Sequence, residues 1–317
     1  MWKGNSDTKG LIRVPVLPIA NRLIAFTLEN TCSYENLIPI PALIQAMLPI
    51  IITLADGRSF GDNSSYSVAA VVMAAITVFI YFSVALTFLD TGRVDNQRRA
   101  RVIQAVGALI DYEAPLRHKN SMCGMTMFID LAWPQNVSTW MRFRWLLLNL
   151  GGQYRARITL YTSYVSVLTL GLIMYALIGF FLGTVNIVTV CTVAWSLLCL
   201  GYFLGSSIWY GSATNEQFTT QARSISRIQL KLREIRADYQ KSHKFKSSLR
   251  RQKIDCRLKR ADMLLETALL LLDHDSKLEP VTILGFEASK ELYTTMATLV
   301  GGAVGAILVE VYFNASG

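Results

Sequence analysis

Residues 159–208 read TLYTSYVSVLTLGLIMYALIGFFLGTVNIVTVCTVAWSLLCLGYFLGSSI and contain no Asp, Glu, Lys or Arg. Two apolar runs, at roughly 159–182 and 187–208, are joined by Gly183-Thr184-Val185-Asn186. A hydrocarbon core of roughly 30 Å needs about 20 helical residues to cross it, so the stretch predicts a transmembrane hairpin. Working outward, three further runs of this kind lie at 36–55, 67–89 and 291–313. Of the 31 Lys and Arg, 4 precede the first run, 10 lie between the second and third, and 16 between the fourth and fifth. Only Arg58 falls in a short hairpin loop, and no Lys or Arg follows the last run. The positive-inside rule turns that alternation into an orientation, with the N-terminus in the cytosol and the C-terminus outside. The expected fold class is an all-α integral membrane protein, with five transmembrane helices and long cytosolic helical extensions.

Six segments follow from this layout. They are a cytosolic or interfacial start (1–35), a transmembrane hairpin (36–89), a cytosolic helical loop (90–158), a second hairpin (159–208), a cytosolic helical hairpin (209–280) and a final span with a short outer tail (281–317). Charged residues make up 17% of the chain, below the roughly 25% usual in soluble domains. The net charge of +9 is what cytosolic loops beside an anionic leaflet require, so nucleic acid is not implied. The lipid bilayer is the first partner. Five cysteines sit on the reducing side or within the fourth run, with no disulfide framework and no zinc spacing. No cofactor and no metal are expected.

Local chemistry refines each segment. An interfacial or bundle-packed helix is expected around Asn21–Glu29, and Pro49 should kink the first span. Asn63-Ser64-Ser65 is a sequon on the expected outer face, and Asn136-Val137-Ser138 is one on the inner face. Trp133–Ser138 reads as a turn and helix start, with Ser138 or Asn136 as cap. Trp140, Arg142, Arg144 and Trp145 then suit the membrane interface, as does the anchor Trp209-Tyr210.

In the second cytosolic segment, Ile225, Ile228, Leu232, Ile235 and Tyr239 repeat at 3, 4, 3, 4. After a break at Lys241–Ser247, Ile254, Leu258, Ala261, Leu265 and Leu272 resume at 4, 3, 4, 7. These are heptad stripes on two helices, packed on each other or on neighbouring subunits. The basic run Lys241–Arg260 is a solvated loop tip, with anionic lipid or a calmodulin-like partner as alternatives.

The last span, ELYTTMATLVGGAVGAILVEVYF, carries Gly301/Gly305 and Gly302/Ala306, pairs of small residues four apart that permit close helix packing. Glu310 is the one acid within the core of any span and a functional candidate on that ground, with hydration at the outer interface as the plain alternative.

Pro280-Val281-Thr282-Ile283-Leu284-Gly285-Phe286-Glu287-Ala288-Ser289, followed by Glu291-Leu292 and a Gly-rich apolar helix, resembles the C-terminal region of the insect odorant and gustatory receptor superfamily and its protist gustatory-receptor-like branch. The order of hairpins and cytosolic segments is similar too. Family members carry seven spans against five here; removing their first hairpin would preserve every orientation, as in a chain lacking two upstream helices. Aligning the ends places Ala303-Val304 and Glu310-Val311 where the family often has Thr-Tyr and Gln-Phe. The resemblance implies a homotetrameric, ligand-gated cation channel in the plasma membrane, opened by a small molecule. Leu299, Gly302, Ala303, Ala306 and Glu310 would line its pore. The stripes at Ile225, Ile228, Leu232, Ile235, Ile254, Leu258 and Leu265 fall where the family's cytosolic anchor stands.

An enzyme is not expected. His118 and His243 lie in basic runs, His274 sits at the polar end of the hairpin, and no nucleotide-binding or hydrolase motif occurs. The alternative function is a non-conducting membrane protein whose cytosolic helices form an interaction platform. A carrier is disfavoured by the lack of an internal repeat.

Overall fold

The computed structural model describes residues 5–6, 12–13, 25, 31–55, 68–111, 129–149, 152–182, 187–241, 249–278, 280–283 and 285–316; within these, the side chains of 5–6, 12–13, 152–155, 176–177, 180–181, 187, 249–251 and 310–316 are not described. The expected Asn21–Glu29 helix (Ala25 apart), the Asn63 sequon, His118, His243 and the turn at 183–186 fall outside the described residues.

The elements are a two-residue strand pair β1 (Asn5–Ser6) and β2 (Ile12–Arg13), helices α1 (Pro39–Ala55), α2 (Val68–Ala108), α3 (Pro134–Asn149), α4 (Gly152–Leu182), α5 (Ile187–Lys241) and α6 (Leu249–Leu278), the strands β3 (Thr282–Ile283) and β4 (Phe286–Glu287), and helix α7 (Lys290–Ser316). Among the described residues five helices are long and apolar enough to cross a membrane, and they fall on the five runs read from the sequence. Two of them continue further than their apolar runs. Helix α2 is unbroken for 41 residues and α5 for 55. The changes in composition at residues 89 and 208 are therefore not helix ends; neither region carries a proline, the residue that most strongly breaks a helix interior.

The chain divides into two compact units, one comprising 1–31, 98–148 and 220–272, the other 32–97, 149–219 and 273–317. In the first, the distal part of α5 and helix α6 form an antiparallel pair. Gln229 and Arg233 both donate to Asp262 Oδ1 at 2.9 Å. Arg236 and Gln240 donate to Asp255 Oδ1 at 2.9 and 3.1 Å. The Arg236 hydrogen bond holds the Asp255 carboxyl below its usual value.

Ile225, Leu232, Leu258, Ala261, Leu265 and Leu272 of the expected stripes are buried. Ile228 and Ile254 are half-buried, and Ile235 is 59% exposed. The buried positions on α5 run Gln221, Ile225, Gln229, Leu232, at 4, 4, 3. That spacing keeps step with a straight helix, from which a strict heptad drifts by roughly 20° per repeat.

Helix α3 begins one turn earlier than its expected cap. Pro134 opens it, suited to the first helical position because it has no N–H to satisfy. Ser138 lies inside, its Oγ donating to Gln135 O at 3.1 Å, while Asn136 Nδ2 donates to Asp130 O. Trp140 is buried and donates from Nε1 to Val106 O at 3.1 Å. Arg144 is buried as well, its Nε donating to Gln221 Oε1. Of the residues expected at an interface, these two are core.

In the second unit, Ile173 of α4, Val190, Val193, Ala194 and Leu197 of α5, and Val300, Ala303, Val304 and Ile307 of α7 form one apolar cluster. Ile38, Leu86, Leu89, Val165, Leu200 and Phe203 form a second, tying α2, α4 and α5 to the start of α1. Trp195 Nε1 donates to Pro41 O at 3.1 Å, which ties α5 to the first turn of α1. Helix α5 is the most buried of the spanning helices in this unit, whereas the most apolar stretch of α2 is not buried.

Candidate functional site

The last helix and its seat on α5 form the site to which the sequence points. Its lead-in is a β-hairpin with Thr282 opposite Glu287 and Ile283 opposite Phe286. Gly285 turns it at φ 80°, in the left-handed region that glycine occupies without a Cβ penalty. One side chain clamps this hairpin to α5. Asn215 Nδ2 donates to Val281 O and Ala288 O at 3.2 and 3.0 Å, and its Oδ1 accepts from Val281 N at 2.9 Å. Lys290 and Glu216 form an ion pair beside the clamp. Ser289 then caps α7, its Oγ accepting from Leu292 N at 3.1 Å.

The glycines of α5 receive the hairpin at Gly211 and α7 at Gly201 and Gly205. A Cβ at Gly211 would stand 2.9 Å from Ala288 Cβ and 3.0 Å from Val281 Cγ1. One at Gly201 would stand 2.9 Å from Val300 Cγ1, and one at Gly205 3.4 Å from the Tyr293 ring. Tyr293 also meets Trp209 edge-on, with centroids 5.4 Å apart. Leu204, Ile208 and Ile283 bury the joint.

The residues expected on α7 divide between two faces. Ala303 belongs to the packed face, 4% exposed, with Val300, Val304 and Ile307. Leu299 is 44% exposed, Gly302 is exposed and Ala306 half-buried. By helical spacing Leu299, Ala306 and Glu310 fall on one stripe, bordered by Ala303 on the packed side and Gly302 on the open side. Glu310 lies within the helix, but its side chain falls outside the described residues. Gly301, Gly302 and Gly305 meet nothing within 4 Å of a Cβ.

A second polar cluster lies elsewhere in this unit and is absent from the expectations. Asp90 and Arg93 of α2 are 2% and 3% exposed. Arg93 donates to Asp90 Oδ1 from Nε at 2.8 Å and from Nη2 at 2.6 Å. Nη2 also reaches Cys32 O, while Ser33 Oγ and Tyr34 N donate to Asp90 Oδ2. The guanidinium lies 4.3 Å over the Tyr34 ring, a geometry that favours a cation. Such a pair is satisfied only while all these partners are in place, so it pins residues 32–34 to α2. Chemically it is a latch between residues 32–34 and α2. Among the described residues no cluster of His, Cys, Asp and Glu is placed to hold a metal.

These features define an all-α protein with, among the described residues, five helices of membrane-spanning length and composition, the last of them locked to α5 through a small hairpin. No protein-family model, no curated protein and no solved structure matches the chain.

Proposed function

We propose that this chain is the subunit of a gustatory-receptor-like, ligand-gated cation channel, with α7 lining the pore. The observation that carries the reading is the division of α7. One face is packed on the bundle, and the other, with Leu299, Gly302 and the two glycines Gly301 and Gly305, is left open. A spanning helix whose free face carries glycines beside Leu299, Leu308 and Val309 suits a central position in an oligomer, where copies of that face surround an axis. The assembly is a homotetramer in the plasma membrane, oriented by its basic segments with the N-terminus inside. Glu310 sets cation preference by its charge. A small molecule bound among the outer halves of the helices biases α7 between two positions, and the Asn215 clamp makes α5 the element that moves with it.

The test is native mass and cross-linking of the nanodisc-purified chain, paired with cation flux in liposomes. Four subunits with a flux that Glu310→Gln changes in ion preference are expected. A monomer without flux under every ionic condition would overturn the reading.

A second reading is favoured by Leu230, Met263 and Leu270, which are large, apolar and exposed on the α5–α6 pair. It makes the chain a non-conducting membrane protein whose helical pair is an interaction platform. Glu310→Gln would leave its behaviour unchanged.

A further inference from the structure

Between α2 and α4 the second unit has an open groove of about 840 Å³, within the roughly 300–1,000 Å³ typical of small-molecule sites. The two helices run antiparallel along it. Gly92 faces Ile158 and Thr162, the Phe88 and Tyr161 rings stand 4.8 Å apart, and Leu86 and Val165 share a core cluster. The lining is graded along this axis. Arg157 and Thr91 stand at one end, and Phe88, Tyr161, Tyr164 and Val167 continue toward the other. Phe88, Tyr164 and Val167 are all exposed, Tyr164 by 64%. Among the described residues Arg157 is the one ionised group in the lining, and no carboxylate accompanies it. The Thr91 hydroxyl already donates to Thr87 O at 2.8 Å, so at this end of the groove the guanidinium is the charged donor for an anionic head.

The geometry points to a binding site for an anionic glycerophospholipid, with its phosphate on Arg157 and an acyl chain along Phe88, Tyr161, Tyr164 and Val167. Both walls belong to helices of spanning type, so the groove opens where acyl chains are the solvent. A zwitterionic lipid brings its own cation to Arg157 and gains less. A soluble anion leaves the apolar length unfilled. The site requires only that α2 and α4 cross the membrane, and it stands whether or not the protein conducts.

The experiment uses the full chain in nanodiscs, with phosphatidylglycerol or phosphatidylcholine carrying a photoactivatable group on one acyl chain, and maps labelled peptides by mass spectrometry. Label on the peptides holding Phe88 and Tyr161–Val167 is expected. Phosphatidylglycerol should be preferred about fivefold, the ratio corresponding to the roughly 1 kcal/mol that a basic residue gains at an anionic surface. Arg157→Gln should bring that ratio close to one, and Arg157→Lys should largely keep it. Should Arg157→Gln fail to fold, Val167→Trp fills the groove instead. It should cut labelling there and leave labels on α1 and α7 unchanged. Equal labelling by the two lipids, a preference that survives Arg157→Gln, groove labelling undiminished in Val167→Trp, or displacement of the label by inorganic phosphate would each overturn the assignment.

Discussion

Helices α5 and α7 each carry glycines at a spacing of four, Gly201/Gly205 and Gly301/Gly305, and use them differently. The α5 pair is filled. Val300 lies over Gly201, and Tyr293 over Gly205. The α7 pair faces open space within the protomer. The close approach that holds the last helix in place is thus supplied by its neighbour, and the small residues of the last helix are free for another contact. In lipid, where helix association rests on packing more than on a hydrophobic driving force, a filled glycine pair is a joint and an open one is a surface.

The largest effect should come from closing the joint. Gly201→Leu would force bulk to within 2.9 Å of Val300 Cγ1, between two helices that cannot both stay in place. Overpacking of this kind costs about 1–3 kcal/mol. The melting midpoint of the protein in detergent should fall accordingly, and Val300→Ala in the same chain should restore part of the loss. A melt unchanged by Gly201→Leu would remove the distinction between the two pairs.

Much of this architecture is legible in the sequence, though the joint is not. Five apolar runs give the five spanning helices because length and composition suffice to mark them. The stripe Leu258, Ala261, Leu265, Leu272 is legible because exposed polar residues flank it on α6. Inside an apolar run that contrast is lost. Val300 and Leu299 are chemically alike, yet one is packed and the other 44% exposed. Gly201-Tyr202-Phe203-Leu204-Gly205 carried the same spacing as the pair on α7, and nothing in either run says which is filled.

The Asp90–Arg93 pair was hidden for a different reason. Its spacing of three reads as the start of a basic loop, and its burial depends on Ser33 and Tyr34, more than fifty residues away. Asn215 is likewise an ordinary polar residue until the hairpin at Val281–Ala288 folds onto it.

A smaller and opposite effect tests the open pair. Gly301→Ala and Gly305→Ala put a methyl into space that is empty in the protomer, and Ala is favoured over Gly in a helix interior by about 1 kcal/mol. Protomer melting should hold or rise. Under the channel reading the cross-linked tetramer should weaken at the same time, since the methyls intrude on contacts between copies. A fall in protomer melting with assembly intact would place these glycines in a joint of the kind seen on α5.

The smallest effect belongs to the α5–α6 pair, where the contacts across the two helices include partly exposed ion pairs such as Arg236–Asp255. Exposed pairs of this kind contribute little, but this one has a defined sign. The folded Asp255 carboxyl lies below its unfolded value of 3.8, chiefly through the Arg236 hydrogen bond. A carboxylate held down in the folded state stabilises fully above its unfolded value, and that contribution is lost as pH falls through the folded one. The difference in melting midpoint between the native chain and Asp255→Asn should therefore be constant from pH 8 to about pH 5, and should close below pH 3.8. A difference that closed near neutral pH would mean that some group other than this carboxylate joins the two helices.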